Sequence, residues 1–174
     1  KLRGHHRVPA VKGQALPAWD PRPLKATGVT YASSPMGADH TAGLIINPGL
    51  QPEDFARASQ ESQLANAVCD SSGFCQFLQP TLDTMREAMG LFLGEEISRQ
   101  EIADLGWQCL EDEWEFNRRA GFGVADDDLP PCLRDEGIGP DHVMKFDVAA
   151  DVIAQAKVRF PLRDELFAEV RAGG

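Results

Sequence analysis

Two stretches of this chain gather side chains able to do chemistry. The first is Asp70-Ser71-Ser72-Gly73-Phe74-Cys75. The Asp70 carboxylate can accept hydrogen bonds from an N–H-rich heterocycle. Gly73 lets backbone approach a ligand closely, and Cys75 can offer a thiolate to a soft metal or an iron–sulfur cluster. The same spacing also describes an aspartate capping its own turn beside a buried cysteine. The second stretch is Ala32-Ser33-Ser34-Pro35-Met36-Gly37-Ala38-Asp39-His40, a breaker-rich loop that delivers an Asp-His pair. His40 can act as acid or base, or hydrogen-bond a substrate oxygen. Alternatively Asp39 is a helix N-cap and His40 an ordinary first-turn residue. A third run, Glu113 to Gly121 followed by Asp126-Asp127-Asp128, is acidic, but no histidine lies near it in sequence. A solvated helix end is the plainer reading there.

The four cysteines, Cys69, Cys75, Cys109 and Cys132, form no CxxC pair. Reduced thiols acting as small buried hydrophobes are the default for each. A zinc enzyme using Cys75 and His40 is disfavoured, because zinc takes three or four protein ligands and the thiols have no ligand spacing. His5, His6 and His142 have no ligand spacing either. There is no Walker A loop, no dinucleotide glycine fingerprint, no HExxH and no GxSxG.

The elements that must position these residues are mostly helical. At 174 residues, with 43% hydrophobic and 25% charged residues, the composition is that of a globular domain with one sizeable core. Seventeen basic against 27 acidic residues give a net charge of −10, which argues against nucleic acid or an anionic membrane as partner. Apolar runs such as Ala42 to Ile46 are too short to span a bilayer, and no apolar stretch follows the basic Lys1 to Arg7. A cytoplasmic location is expected. The chain starts without Met and reads as part of something larger.

Breakers at Pro9, Gly13, Pro17, Pro21, Pro23, Gly28 and Pro35 predict an extended strap over residues 1–36, with short strand-like stretches such as Val29 to Ala32. Residues 37–174 are expected to form the helical domain. Pro52 with Glu53 and Asp54 opens a helix that Gly73 closes, and a second fits Pro80 to Gly90. Ser98 and Glu101 form a capping box for a third, closed by Gly121. A polar connection follows to Pro131; then come a helical pattern from Phe146 to Arg159 and a short one over Arg163 to Arg171. The fold class is therefore mostly α, a multihelical bundle with an irregular N-terminal strap and one or two short strands at most.

In this order, the pieces resemble the C-terminal region of the tungsten-dependent aldehyde:ferredoxin oxidoreductase family. Val11-Lys12-Gly13 through Pro17-Ala18-Trp19-Asp20-Pro21-Arg22 is similar to its V-K-G…P-A-x-D-P-R strap. Gly28-Val29-Thr30-Tyr31-Ala32-Ser33-Ser34 leading to Gly37-Ala38-Asp39-His40 resembles its Y-A-T-S-x-R-G-A-D-H loop. Asp70 to Cys75 resembles its second D-x-x-G-L-C motif, with Phe74 in the Leu position. Phe116-Asn117-Arg118-Arg119-Ala120-Gly121 with Asp127-Asp128-Leu129-Pro130 resembles F-N-x-R-x-G…D-D-x-L-P. The likeness covers about residues 8 to 134. Met36 stands where the family has Arg, and Ala42 where many members carry a basic residue.

The resemblance implies an enzyme that oxidises aldehydes to carboxylic acids and passes electrons to ferredoxin, using a tungsten (or molybdenum) bis-pterin beside a [4Fe–4S] cluster. Asp70, Gly73 and Phe74 would hold one pterin, Cys75 would ligate the cluster, and His40 would stand near the metal to bind or protonate the substrate oxygen. Asp20, Arg22, Asn117 and Arg118 would be structural. The family's other three cluster cysteines lie in an upstream C-x-x-C-x-x-x-C segment that this chain does not contain. The partners implied are thus the N-terminal remainder of the enzyme, ferredoxin and a small aldehyde, with cluster and metal absent from the isolated chain. The alternative function is a non-catalytic helical assembly domain of the same ancestry.

Overall fold

The computed structural model describes residues 7–167. A hairpin of β1 (Ala10–Val11) and β2 (Gln14–Ala15) precedes α1 (Lys25–Ser33), α2 (Phe55–Ser72), α3 (Leu82–Leu93), α4 (Arg99–Arg119), α5 (Pro131–Asp135) and α6 (Ala150–Gln155). That hairpin is the only sheet among the described residues, and the architecture is the mostly α bundle expected. Helix α2 is the hub, packing against α1, α3, α4 and α6. Its first half joins α1, α6 and Phe146 in one apolar cluster; its second half joins α3 and α4 around Leu64, Val68, Met85, Ile102 and Trp107.

The strap is where the structure departs most from the sequence reading. Residues 25–33 are helical, including the Val29–Ala32 stretch expected to be strand-like. Pro23 and Pro35 bound this helix rather than break it, and Ser34, before Pro35, takes the extended geometry that proline imposes. Every residue from Ala26 to Ser33 is buried. A helix apolar or small on all sides has no amphipathic stripe to read. Its hydroxyls are satisfied inward: Thr30 donates to the Ala26 carbonyl (3.3 Å) and Ser33 to that of Val29 (2.8 Å).

A buried helix cannot leave its last carbonyls to water. Here side chains from elsewhere cap them. Lys12 Nζ donates to Ala32 O (2.6 Å), Trp114 Nε1 to Ser33 O (2.9 Å) and Asn117 Nδ2 to Pro35 O (2.7 Å). The hairpin supplies Lys12: positive φ at both Lys12 and Gly13 (50° and 84°) gives the tight turn that matches strand twist. The Lys12 side chain is 5% exposed and lies 2.6 Å from Asp127, which Lys157 also engages. Burial pushes the Lys12 amine's pKa down, and Asp127 pulls against it.

The remaining helices begin largely as read. Pro52–Asp54 form a 3-10 turn that opens α2, and Gly73, at φ 76°, closes it. Thr81 caps α3, which runs past Gly90 to Gly94. The Ser98–Glu101 capping box opens α4. A Cβ on Gly106 of α4 would lie 2.7 Å from the Val68 side chain and 2.9 Å from Leu64 O, so this glycine sets how closely α4 crosses α2. Two expectations need correction. The stretch read as a polar connection to Pro131 leads straight into α5, which starts at that proline. The Phe146–Arg159 pattern yields only α6, because Phe146 and Val148 go into the core ahead of the helix. In Arg163–Arg171 a 3-10 turn spans Asp164–Leu166; beyond Phe167 the stretch lies outside the described residues.

Residues 157–167 clamp the polar side of α2. Arg163 pairs with Glu61, whose side chain is 3% exposed. The Gln60 amide donates to Val158 O and accepts from Phe160 N (2.9 Å), while Arg57 lies over the Phe160 ring at 5.0 Å. Arg163→Ala leaves the Glu61 carboxylate buried without its partner and is expected to cost about 2 kcal/mol, allowing for the half-exposed arginine. Arg159→Ala, which removes an exposed pair with Asp104, should leave the melting temperature unchanged; thermal unfolding of both variants checks this. Trp114→Phe keeps an aromatic ring but strips the donor from Ser33 O and trims the edge-to-face contact with Trp107, and should cost about 1–2 kcal/mol in the same assay.

Candidate functional site

The capped end of α1 launches the loop that carries His40. Gly37 has φ 78°, and a Cβ there would lie 2.4 Å from Val11 O, so only glycine lets the loop pass this close to the hairpin. Asp39 then caps a 3-10 turn, His40–Ala42, accepting from Thr41 N (2.8 Å) and Thr41 Oγ1 (2.9 Å). This is the local cap that the sequence left open as an alternative. Downstream, Ile45 exchanges both backbone hydrogen bonds with Thr27 Oγ1 of α1.

The decisive contacts come from α2 and the turn after it. Asn66 Nδ2 and Gln76 Nε2 both donate to Thr41 O, at 3.0 and 3.1 Å. Gln76 Nε2 also donates to Asp70 Oδ1 at 3.0 Å. One amide, next in sequence to Cys75, thus ties the His40 turn to Asp70. The His40 side chain is 41% exposed, yet its Nδ1 is buried without a hydrogen-bond partner, 3.6 Å from Asp39 Oδ1. Exposure therefore falls on the rest of the ring. Beneath the loop, burial, with Asp39 and Asp20 nearby, pushes the Tyr31 phenol up, so it stays protonated and donates to Trp19 O (3.3 Å).

At the second motif, Gly73 N–H bonds Asp70 O and Phe74 N–H bonds Cys69 O (3.0 Å), closing α2 with a left-handed glycine. Asp70, Gly73 and Cys75 are exposed, and a Cβ on Gly73 would meet nothing within 4 Å. Phe74 packs partly into the α2–α3–α4 core, which leaves the backbone around it for any ligand. The cysteines separate clearly. Cys69 is buried, its thiol pushed up by desolvation and then by Asp70, and its Sγ donates to Phe74 O; Cys75 is free and exposed. The small-hydrophobe default suits Cys69 and fails at Cys75.

The donor set fits one edge of a cofactor site. An exposed thiol, an exposed carboxylate and an open glycine suit a large group arriving from outside. Among the described residues, no group of three or more His, Cys, Asp or Glu side chains could hold a metal ion. A cluster on Cys75 would take its other ligands from elsewhere.

The Glu113–Gly121 run divides. Glu115, held at about 2 by Arg118 and Arg119, is the solvated helix end expected. Asn117 instead secures the Pro35 turn, and Glu113 is pushed up by burial and then by Asp70. Asp20 and Arg22 pair at 3.0 Å, and Arg22 reaches Glu136 O at 3.0 Å, fixing the strap. Asn66 and Gln76 had no motif to mark them. The signal available was the polarity of α2: Ser59, Gln60, Glu61 and Gln63 are all buried, and buried polar groups require partners.

Among the described residues, no helix is long and apolar enough to cross a membrane. A family model described as aldehyde ferredoxin oxidoreductase, domains 2 and 3, matches residues 1–156. A tungsten-containing aldehyde ferredoxin oxidoreductase of Pyrococcus abyssi is 28% identical over 164 residues, covering 84% of this chain and 27% of that protein. The protein of the same name from Thermococcus kodakarensis is 28% identical over 155 residues (79% and 26%), and that from Pyrococcus furiosus 29% over 134 (70% and 22%). The chain spans about a quarter of the length of these relatives. With the fold, the motif order and the match to the family model in agreement, this chain belongs to the aldehyde ferredoxin oxidoreductase family, in the region of its domains 2 and 3.

Proposed function

We propose that this chain is the C-terminal part of an oxidoreductase that converts aldehydes to carboxylic acids with ferredoxin as electron acceptor. It does so together with the N-terminal remainder of the enzyme, helping to hold a tungsten (or molybdenum) bis-pterin and a [4Fe–4S] cluster. The observation that supports this reading is the Gln76 bridge between Thr41 O and Asp70. It draws an acid–base residue toward a carboxylate–glycine–thiol turn, which a scaffold domain has no need to do.

Each residue then has a role in its own chemistry. The Asp70 carboxylate accepts N–H groups of the pterin, and Gly73 and the Phe74 backbone allow the ring to come close. Cys75 gives one thiolate. His40, with Nδ1 turned toward Asp39, holds or moves a proton from its outer nitrogen at the substrate oxygen. When bound, the metal–pterin centre supplies the two-electron acceptor and the cluster the onward path. Phe77, 96% exposed beside Cys75, is the type of surface the remainder of the enzyme would cover, keeping water from the cluster.

In the complete enzyme, Cys75→Ala should abolish or convert the [4Fe–4S] signal in electron paramagnetic resonance, whereas Cys109→Ala should leave it intact; equal effects would sink the ligand assignment. His40→Ala should lower turnover roughly a hundredfold with tungsten content near normal. Loss of tungsten instead would make His40 structural.

A further inference from the structure

Between the Ser34–Ala42 loop, α2 and α4 lies a cavity of about 70 Å³. Its walls include Gln63, Asn66, Asp70, Ser71, Cys109 and Glu113. Gln63 is 1% exposed, and its Oε1 is buried with no hydrogen-bond partner.

The other end of the Gln63 amide is held by two serines. Ser33 Oγ gives its hydrogen to Val29 O and accepts from Gln63 Nε2 (2.9 Å). Thr30 Oγ1 and Ser59 Oγ share a 2.8 Å hydrogen bond in which either can donate. Ser59 Oγ also accepts from Gln63 Nε2 (3.0 Å). With the Gln63 amide nitrogen engaged by the two serines, its Oε1 is the atom left over. The carbonyl oxygen must find its donor in the cavity. A buried acceptor left unmet costs a large part of its desolvation, and a polar cavity of this size holds about two waters.

We infer that this cavity is a built hydration site, holding about two water molecules that donate to Gln63 Oε1 and link it to Asp70 and Glu113. The titratable groups on its walls are Asp70 from α2 and Cys109 and Glu113 from α4; the loop contributes Ser34, Pro35, Met36 and Ala42, none of which titrates. Burial, and then Asp70, push the Glu113 carboxyl's pKa up, and the water donates to Gln63 Oε1 and to Asp70. The water then orients Asp70 from its inner side, as Gln76 does from the other carboxylate contact. The site follows from hydrogen-bond accounting alone and stands whether or not Asp70 meets a pterin.

A crystal structure of the protein at a resolution that places water should show density 2.6–3.2 Å from Gln63 Oε1. An empty cavity there overturns the proposal. Ala42→Val, which narrows the cavity from the loop side and leaves Gln63 in place, provides the second measurement. Expelling bound water should lower the melting temperature by about 3–8 °C. A gain in stability, as expected for filling a dry void, or an unchanged melting temperature overturns it. Neither readout involves aldehyde turnover or metal content, so failure here and failure of the proposed function are separable.

Discussion

The buried C-terminal end of α1 sets the terms for the rest of this molecule. Eight of its nine residues are buried, so the carbonyls at its end cannot turn to solvent. The fold meets them with an ammonium from the hairpin and an indole and an amide from α4. Each donor has its own structural cost. Lys12 must be desolvated, and Asp127 compensates it. Trp114 and Asn117 fix the rotation of α4 about its axis, and the close crossing at Gly106 fixes its distance from α2. The loop that leaves α1 inherits this rigidity, and with it the His40 turn keeps its tie, through Gln76, to Asp70.

The polar seam between α1 and α2 belongs to the same design. Thr30, Ser33, Ser59 and Gln63 form a closed set of donors and acceptors with one acceptor left over. Such a network specifies register more strictly than apolar packing, because a shift by one residue would strand several buried groups at once. The leftover acceptor faces the side on which Asp70 stands, so hydration of the core and geometry of the surface motif are set together.

Much of this was legible in the chain. Caps announced themselves chemically: Ser98 with Glu101, and the glycines that close α2 and α4. The Asp70–Cys75 and Asp39–His40 motifs were visible as residue types at short spacing. What was not legible depended on burial. Helix α1 looks like strap because prolines crowd around the eleven-residue window between Pro23 and Pro35, and because a helix buried on all sides has no periodicity to detect. Helix α6 was overestimated because Phe146 and Val148 supply core from extended backbone. Gln76 and Asn66 could not be picked out, since the carbonyl they share lies far away in sequence. Glu113 is an exposed charge on a helix end, and only the packing of α4 against α2 puts it on the same cavity as Asp70.

The clamp of residues 157–167 on α2 has a consequence for how the molecule is made. Gln60 and Glu61 receive their partners from positions about a hundred residues later in the chain. During synthesis α2 emerges early, with a glutamine and a carboxylate on a face destined for burial and nothing yet to satisfy them. These long-range contacts close large loops, which makes them slow and late events. The nascent domain must therefore wait in a loosened form, its helices present and its polar face still wet, until residues 157–163 have been made. In that interval α2 is not yet locked against its neighbours, and the fold shuts only when Arg163 reaches Glu61.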